Sequence, residues 1–377
     1  MGIRPLVLCL LPLVLSANAA AGANPLSDPV EAARRANPMV VLMPEFPRMP
    51  APAWVRPGVR LSYHVMVASV SGHTSGLKED EEGNFVDEDD NKVNVKPTGS
   101  GEVITQVNLA ELTRSDAVYE ARSYALVNRR PGAILIVQSG VGYPAACADW
   151  WVHPDALKRL AADPPHGIHV HRLRFRAAGR DHDVVRITAR APRHYQSWVF
   201  DTAGGALLRY NNAVSGDPKR DRTSTLTQST LIASRELKLP WTGAAPPDWS
   251  IKPAGLEYAG GLTQRAFDGR IITIPLTISM RIKRAGGTYW VFEQVNALHV
   301  GNGLPPSLST FQRAAGGCLV GGPWIAPEAA AGLKAGDRLD DDPITGVLTT
   351  VAERNGDRVV IREANAVQTT DYVYDVN

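Results

Sequence analysis

The sequence predicts a β-rich α+β protein, built as two tandem related domains of curved antiparallel sheet with a short helix each. Three observations predict this class. The 377 residues include 33 glycines and 28 prolines, which favours many turns and short strands over long helices. Apolar and polar residues alternate in several segments, as in half-buried strands. Patterns from the first half of the chain recur in the second half in the same order.

Composition and charge exclude several classes of protein. With 44% hydrophobic and 21% charged residues, the chain is neither disordered nor a coiled coil, and its length allows two or three domains. The formal net charge of +2 does not match the strongly basic surface of a nucleic-acid binder. We therefore predict no nucleic-acid partner.

The first 19 residues have the pattern of a signal peptide. Arg4 precedes an apolar run over residues 6–15, which is too short to span a bilayer core of about 30 Å. Ala17-Asn18-Ala19 then fits a cleavage motif. We predict export to the periplasm or the extracellular space, with no transmembrane anchor after cleavage.

Export would place two cysteines, Cys147 and Cys318, in an oxidising compartment. A disulfide between them would close a loop of roughly 171 residues and stabilise the fold by about 4–5 kcal/mol in the chain-entropy model. The alternative is two buried, unpaired thiols, because cysteine also packs as a small hydrophobic residue. Both alternatives stay open, because a disulfide depends on geometry that sequence does not contain.

Residues 20–52 form a proline-rich leader. Asp28 begins a capping-box pattern that predicts a short helix ending near Asn37. Four further prolines then favour an extended strap. We expect the apolar side chains of the strap to pin it to the core, and these are Met39, Met43, Phe46 and Met49.

Two repeats follow the leader: residues 53–240 and 249–377, joined by a linker at 241–248. Trp151 and Pro154 of the first repeat match residues 173 positions later. Similar matches extend along both copies and pair Trp54 with Trp249, Trp151 with Trp324, Pro154 with Pro327, and Trp198–Asp201 with Tyr372–Asp375. Because the second copy contains fewer residues, we expect it to close with fewer strands or to borrow an edge from its neighbour.

The elements inside each repeat follow from local signals. Pro154 and Pro327 each suit the first turn of a short helix, where a missing N–H costs nothing. Alternation predicts strands over residues 169–176 and 184–190. Turn residues predict two more hairpins, at Asn355-Gly356 and at Asp201–Gly205.

An acidic insertion at about residues 72–98 distinguishes the first repeat. We predict a solvated hairpin or mobile loop, because runs of like charge favour solvent. A loose calcium site is the alternative, since hard cations bind clustered carboxylate oxygens. The acidic residues are Glu79, Asp80, Glu81, Glu82, Asp87, Glu88, Asp89 and Asp90.

The acidic insertion offsets a basic segment. Residues 158–194 contain nine Lys or Arg and only three Asp. Alternation places three arginines on one face of the first predicted strand and two on one face of the next. A hairpin in a suitable register would gather all five on one surface, where their guanidinium groups could bind an anionic ligand. A solvated sheet face is the alternative. The five candidate ligand-binding residues are Arg172, Arg174, Arg176, Arg186 and Arg190.

Signatures of catalysis and metal binding are weak. His166, His169 and His171 form an H-x-x-H-x-H pattern, and two histidines on one strand face can chelate zinc. The additional ligands of known zinc patterns do not follow, and no nucleophile, phosphate-loop or metalloprotease motif is present. We therefore predict no catalytic residue, no metal and no cofactor.

One segment carries a resemblance. The stretch from Trp198 to Leu208 resembles a strand-turn-strand of exported lipid and lipoprotein carriers of the Lol type, which are half-barrels. The pattern W-x-x-P-x-x-L at Trp151–Leu157 adds to it. The resemblance implies an apolar cavity between a curved sheet and its helices. The duplication and the acidic insertion depart from that family, so no functional residue is carried over.

These observations favour an exported, non-catalytic binding protein for a lipid, another amphiphile or an anionic envelope polymer. The first alternative is an envelope scaffold that pairs with partners through its sheet edges. The second is a hydrolase that lacks a recognisable motif. A closed apolar pocket would favour the carrier, and flat sheets with free edges would favour the scaffold.

Overall fold

A computed structural model gives the fold. It describes residues 38–71, 78–80, 85–86, 101–147, 149–191, 193–215, 223–251, 255–265, 271–285, 288–299, 305–317 and 319–376. The predicted signal peptide, the predicted helix ending near Asn37, most of the acidic block and Cys318 lie outside these ranges, so those predictions are not tested.

The described part of the chain is β-rich with antiparallel sheets and few, short helices, which confirms the predicted β-rich α+β class but not the two tandem domains. The helices are α1 (Pro38–Leu42), α2 (Pro154–Ala162) and α3 (Pro327–Ala331), with 3-10 turns at Phe46–Arg48 and Asp248–Ile251. Strands up to the middle of the chain are β1 (Val59–Ser71), β2 (Lys78–Glu79), β3 (Phe85–Val86), β4 (Glu102–Leu112), β5 (Ala117–Val127), β6 (Arg130–Gly142), β7 (Ala146–Cys147), β8 (Trp151–Val152), β9 (Ile168–Ala177) and β10 (Arg180–Ala191). The later strands are β11 (His194–Asp201), β12 (Leu207–Val214), β13 (Thr223–Glu236), β14 (Gly255–Arg265), β15 (Ile271–Ala285), β16 (Tyr289–Leu298), β17 (Ser307–Gly316), β18 (Arg338–Asp341), β19 (Leu348–Asn355), β20 (Arg358–Ala364) and β21 (Thr369–Asp375).

Three antiparallel sheets organise these strands. The largest has nine strands in the order β6-β5-β4-β1-β13-β12-β11-β10-β9. Strands β14–β17 and β18–β21 form two four-stranded sheets, each in sequence order. Two-residue strands form the small pairs β2–β3 and β7–β8. In the nine-stranded sheet, β13 joins the β1–β4–β5–β6 half to the β9–β12 half by pairing with both β1 and β12.

One face of the nine-stranded sheet packs against the two N-terminal helices and the segment around β7 and β8. Aromatic side chains fill this core, among them Tyr63, Trp151, Trp198 and Phe200. The leader residues Met39, Met43 and Phe46 are buried in the same core. These three side chains therefore pin the leader to the core, as predicted. The expectation of an extended strap is wrong over this stretch, because α1 and the 3-10 turn at Phe46–Arg48 occupy it.

The opposite face of the nine-stranded sheet contacts the β18–β21 sheet through buried polar groups. Arg122 on β5 forms an ion pair with Glu363 on β20 at 2.7 Å. Arg60 on β1 and Arg235 on β13 form ion pairs with Asp340 on β18, and Arg60 also pairs with Asp342 just after it. An interface of this kind depends on each charge keeping its partner, because an unpaired buried charge is costly.

The predicted turns agree with the structure, with small shifts. The hairpin predicted at Asn355-Gly356 is present, and Asn355 lies opposite Arg358, so Gly356 and Asp357 form its two-residue loop. The turn predicted at Asp201–Gly205 joins β11 to β12. Its carboxylate at Asp201 accepts a hydrogen bond from the Gly204 N–H at 2.5 Å, which stabilises the turn.

The two proposed repeats share several contacts. In the first, Ile187 lies opposite Trp198, and in the second Ile361 lies opposite Tyr372 at the aligned positions. The aligned tryptophans also meet in the same way. The pair Trp54–Trp151 has ring centroids 6.0 Å apart at 78°, and the pair Trp249–Trp324 has centroids 6.4 Å apart at 86°. The sheets around them differ, so the duplication stays a prediction.

The predicted linker begins at a buried residue. Trp241 is only 1% exposed and packs with Leu237 and Leu239 into the core of the β18–β21 sheet. The chain therefore enters the C-terminal core before residues 242–248. None of the described helices is long and apolar enough to cross a membrane.

Candidate ligand-binding site

The arginine-rich hairpin lies at one edge of the nine-stranded sheet. Its outer strand, β9, pairs with β10 on one side and is the last strand in the sheet order. Ala178 and Gly179 form the connecting turn with φ values of 47° and 80°, the left-handed conformation that suits a two-residue hairpin. This turn places Ala177 opposite Arg180 and so fixes the register of the two strands.

The register divides the five predicted arginines between the two faces of the sheet. Arg172 lies opposite Val185, and Arg186 lies opposite His171. Directly opposite residues share a face and successive residues alternate. The prediction that one surface gathers all five is therefore wrong, because the register differs by one residue from the register it needed. One face carries Arg172, Arg174 and Arg176, and the other carries Arg186 and Arg190.

The β2–β3 hairpin covers the face that carries Arg186. Arg186 Nη1 donates to the backbone carbonyl of Asp80 at 2.9 Å. Glu79 accepts hydrogen bonds from Ser197 Oγ at 2.6 Å and Tyr195 Oη at 3.2 Å. Burial raises the pKa of the Glu79 carboxyl, although the Ser197 hydrogen bond opposes this shift. The prediction of a solvated hairpin is therefore wrong for Glu79, and Arg186 is engaged by the insertion.

The other face borders a groove between helix α2 and the β9–β10 hairpin. The groove has a volume of about 580 Å³, within the range of roughly 300–1,000 Å³ that small-molecule sites occupy. Its lining combines apolar and cationic residues. The apolar ones are Leu157, Leu173, Val184 and Val185, the cationic ones are Lys158, Arg172 and Arg174, and Pro154, Asp183 and Thr202 complete the lining.

Helix α2 supplies one apolar and one cationic side chain to the groove. Pro154 occupies its first turn, and the His153 side chain accepts a hydrogen bond from the Asp155 N–H at 3.2 Å, which caps the helix. Leu157 is almost fully buried and Lys158 is exposed. The helix therefore lies with its apolar face on the sheet and its cationic residue at the rim.

The cations around the groove are only weakly neutralised. Arg174 Nε lies 3.5 Å from Asp183 Oδ1, but both side chains are more than three-quarters exposed. Water screens an exposed ion pair of this kind, so the attraction between its charges is weak. Lys158 Nζ contacts Asp155 Oδ1 at 2.9 Å, again at the surface. Within the described ranges, Arg172 has no ion-pair partner. The groove therefore carries a net positive charge at neutral pH.

The histidine pattern does not assemble into a metal site in the described ranges, where no group of three His, Cys, Asp or Glu side chains could hold an ion. His169 and His171 are exposed on β9, opposite Thr188 and Arg186. His166 lies in the connection between α2 and β9. A cationic neighbour such as Arg186 opposes metal binding at His171.

The structure does not test whether Cys147 and Cys318 form a disulfide or stay unpaired. Cys147 is fully buried at the end of β7, and its Sγ lies 3.7 Å from the carbonyl oxygen of Ala117. Cys318 is outside the described residues. A thiol count on denatured, unreduced protein would choose between the two alternatives.

Sequence reasoning missed Leu157 and Lys158 as neighbours of the arginine strand. A signal was present, since residues 163–167 are the whole connection between α2 and β9. So short a connection makes the two elements pack side by side. The proximity of α2 to the arginine strand could therefore have been predicted, whereas the face of the strand that the helix covers could not.

No protein-family model matches the chain, and no curated protein shows significant similarity to it. A fold by itself does not define a function, because unrelated functions occur on the same architecture. The proposed function therefore rests on the shape, the apolar lining and the charge of the groove.

Proposed function

We propose that the protein is an exported, non-catalytic binding protein whose groove takes an anionic amphiphile, a molecule with an alkyl chain and a phosphate or carboxylate head. The observation that carries this proposal is the combination of apolar floor and cationic rim in one volume. An alkyl chain in the groove would remove its own apolar surface and that of the half-buried Leu173 from water at about 25 cal/mol per Å². The guanidinium groups of Arg172 and Arg174 would bind the head, since their planar fork matches anionic oxygens.

Export is part of the proposal and rests on residues 1–19. The leader pattern and the lack of a later long apolar run would direct the mature chain outside the cytoplasm. Envelope membranes supply anionic lipids and their single-chain products there. The proposed ligand class is therefore one that an exported protein would meet.

The exposed edge strand β9 argues against the alternative of a scaffold that pairs with partners through its sheet edges. Strand β9 carries His169 and His171 on one side and a row of arginines on the other. Charged side chains on an edge strand oppose pairing with a second chain. The same charges suit an anionic ligand, so the geometry favours binding in the groove over assembly through this edge.

A ligand series tests the proposal with the full mature chain. Isothermal titration calorimetry would compare decyl phosphate with decyl glucoside, decyltrimethylammonium and inorganic phosphate, all below their micelle concentrations. We expect saturable binding of decyl phosphate, and affinity at least about tenfold weaker for each of the other three probes, because each lacks either the charge or the chain. Equal affinity for decyl glucoside would show an apolar site with no anion recognition and would overturn the proposal.

Substitutions of the arginines on β9 would test whether the ligand binds in the groove. The double change Arg172→Gln and Arg174→Gln removes the proposed head contacts, and charge-assisted hydrogen bonds contribute about 1.5–3 kcal/mol each. We expect this variant to bind decyl phosphate at least about tenfold more weakly. Arg176→Gln is the matched control, because Arg176 lies on the same strand and face but does not line the groove. Equal losses in both variants would indicate general electrostatic attraction, which contradicts a built site.

A further inference from the structure

The β2–β3 hairpin lies on the nine-stranded sheet without adding a strand to it, since β2 and β3 form a two-stranded sheet of their own. Each strand has two residues, and Glu79 lies directly opposite Phe85. Directly opposite residues share a face, so the hairpin presents a carboxylate and a phenyl ring side by side. Among the described residues, contacts through side chains therefore hold this hairpin on the sheet, because so short a hairpin is not stable alone.

The Glu79 carboxylate occupies a polar site on strands β11 and β12. Its Oε2 accepts hydrogen bonds from Ser197 Oγ at 2.6 Å and Tyr195 Oη at 3.2 Å, and its Oε1 accepts one from Asn211 Nδ2. Ser197 and Asn211 lie opposite each other on the two strands, and both are fully buried. The sheet therefore places three donors around one carboxylate.

Two arginines add positive charge to this site. Burial raises the pKa of the Glu79 carboxyl, and the Ser197 hydrogen bond and the charges of Arg209 and Arg186 oppose that shift. Both guanidinium groups therefore lie near the carboxylate. The Nε atoms of Arg186 and Arg209 are buried and have no hydrogen-bond partner among the described residues. The site therefore holds two cations with N–H donors that Glu79 leaves unused, which suits an anionic ligand.

An apolar patch adjoins the carboxylate. Phe85 belongs to a small buried cluster whose other members are Ala68, Tyr195, Ala213 and Leu226. Tyr195 contributes to both parts, because its hydroxyl donates to Glu79 and its ring belongs to this cluster. The hairpin therefore fills a polar and an apolar subsite that meet at Tyr195. A small molecule with one carboxylate and one hydrophobic group has the same two features.

We propose that this part of the sheet is a second ligand site, for a carboxylic acid with an adjoining phenyl or alkyl group, and that the β2–β3 hairpin occupies it as an internal competitor. The ligand displaces the hairpin, places its carboxylate beside Ser197 and Arg209, and buries its hydrophobic group against Leu226. Because the hairpin competes, the apparent affinity is reduced in proportion to the fraction of molecules in which the site is open. The site shares no residue with the groove of the proposed function.

Removing the Glu79 carboxylate tests the competition. Isothermal titration calorimetry would compare 3-phenylpropionate with its neutral amide, 3-phenylpropionamide. We expect 3-phenylpropionate to bind Glu79→Ala at least about tenfold more tightly than wild type, because the hairpin no longer supplies a carboxylate. We expect the amide to bind Glu79→Ala at least about tenfold more weakly than the acid, and Arg209→Gln in the same variant to weaken acid binding. Glu236→Ala is the matched control, because it removes one acid from the opposite end of β13 to Leu226.

Hydrogen exchange of the wild-type chain gives an independent test that needs no substitution. Saturating 3-phenylpropionate should increase deuterium uptake in the peptide that contains Glu79 and Phe85, because the ligand takes the places of these side chains. Unchanged or slower uptake in that peptide would overturn the proposal. Equal binding of the amide to Glu79→Ala, or an equal gain in acid affinity in Glu79→Ala and Glu236→Ala, would also overturn it.

A comparison of decanoate with 3-phenylpropionate distinguishes two sources of such a carboxylate. Tighter binding of decanoate to Glu79→Ala would identify a lipid-derived acid, and tighter binding of 3-phenylpropionate would identify a small aromatic acid. Adding Arg172→Gln and Arg174→Gln to Glu79→Ala should leave the affinity for 3-phenylpropionate unchanged. Failure of this site and failure of the anionic groove are therefore distinguishable.

Discussion

Arg60 and Asp342 lie 282 positions apart in the chain, yet their side chains form a buried ion pair, with Arg60 Nη1 2.7 Å from Asp342 Oδ2. Asp342 is fully buried. Gln106 donates to the same oxygen at 2.5 Å, and the Ile344 N–H donates to the other carboxylate oxygen at 2.8 Å. One carboxylate therefore links the centre of the nine-stranded sheet to the C-terminal sheet.

Removing this carboxylate should destabilise the whole chain. Asp342→Ala removes the nearer of the two carboxylates that pair with the buried Arg60. Since Asp340 still pairs with Arg60 at 3.1 Å, the cost should lie near the lower end of the about 3–5 kcal/mol that a broken buried pair costs. The neighbouring change Asp341→Ala is the control, since Asp341 pairs with Arg338 at the surface, where such pairs contribute at most about 1 kcal/mol. Urea unfolding followed by fluorescence measures both. Similar losses in the two variants would contradict a special role for Asp342.

A buried acid with a raised pKa, Asp149, should make the protein less stable as the pH rises. Carboxylates with lowered pKa values have the opposite effect. Burial raises the pKa of Asp149 to about 6, although the Trp198 side chain partly opposes this. Since the unfolded carboxyl titrates near about 3.9, the folded state holds the proton to higher pH. Stability from this group is therefore lost as pH rises from about 4 to 6 and is constant above that range.

Asp149→Asn should remove that pH dependence. We expect the variant to gain stability relative to the wild-type chain on going from pH 3.5 to pH 7, by up to about 3 kcal/mol. Asp163→Asn, at an exposed position, is the control and should show no such gain. Urea unfolding at both pH values is the measurement. A constant difference between Asp149→Asn and wild type would show that the buried acid is already ionised near pH 4.

One glycine at the β11–β12 turn should not tolerate a side chain. Gly205 has φ +75°, and an added Cβ would collide with the carbonyl oxygen of Val152. Gly205→Ala should therefore cost at least about 3 kcal/mol. Gly179 has a similar φ of +80° but open space around it, so Gly179→Ala should cost only about 1 kcal/mol. Equal costs would mean that the turn can shift away from β8.

Much of the local structure could be predicted from the sequence. Alternation found strands β9 and β10, and the prolines at positions 154 and 327 identified the first turns of α2 and α3. These signals work because they depend on neighbouring residues. The observed strands extend to Ala177 and begin again at Arg180, whereas the predicted connection ran from Ala177 to Asp183.

This difference in the position of the turn explains why the five predicted arginines do not lie on one face of the sheet. The two-residue turn at Ala178 and Gly179 fixes which residues lie opposite one another, and alternation alone does not determine where a turn falls. Local sequence patterns also cannot predict contacts between segments that are distant along the chain. Glu79 and Ser197 are 118 positions apart, and their hydrogen bond holds one half-buried acid of the insertion against the sheet.

The proposed function places an anionic amphiphile between helix α2 and the β9–β10 hairpin, and photolabelling tests that placement most directly. Decyl phosphate with a diazirine on its terminal carbon would label the residues beside the chain after irradiation, and peptide mass spectrometry would locate the adducts. We expect adducts within residues 154–158 or 183–185, competed by excess decyl phosphate and reduced in the Arg172→Gln and Arg174→Gln variant. Adducts confined to other segments, or labelling that excess ligand does not reduce, would contradict the proposed site.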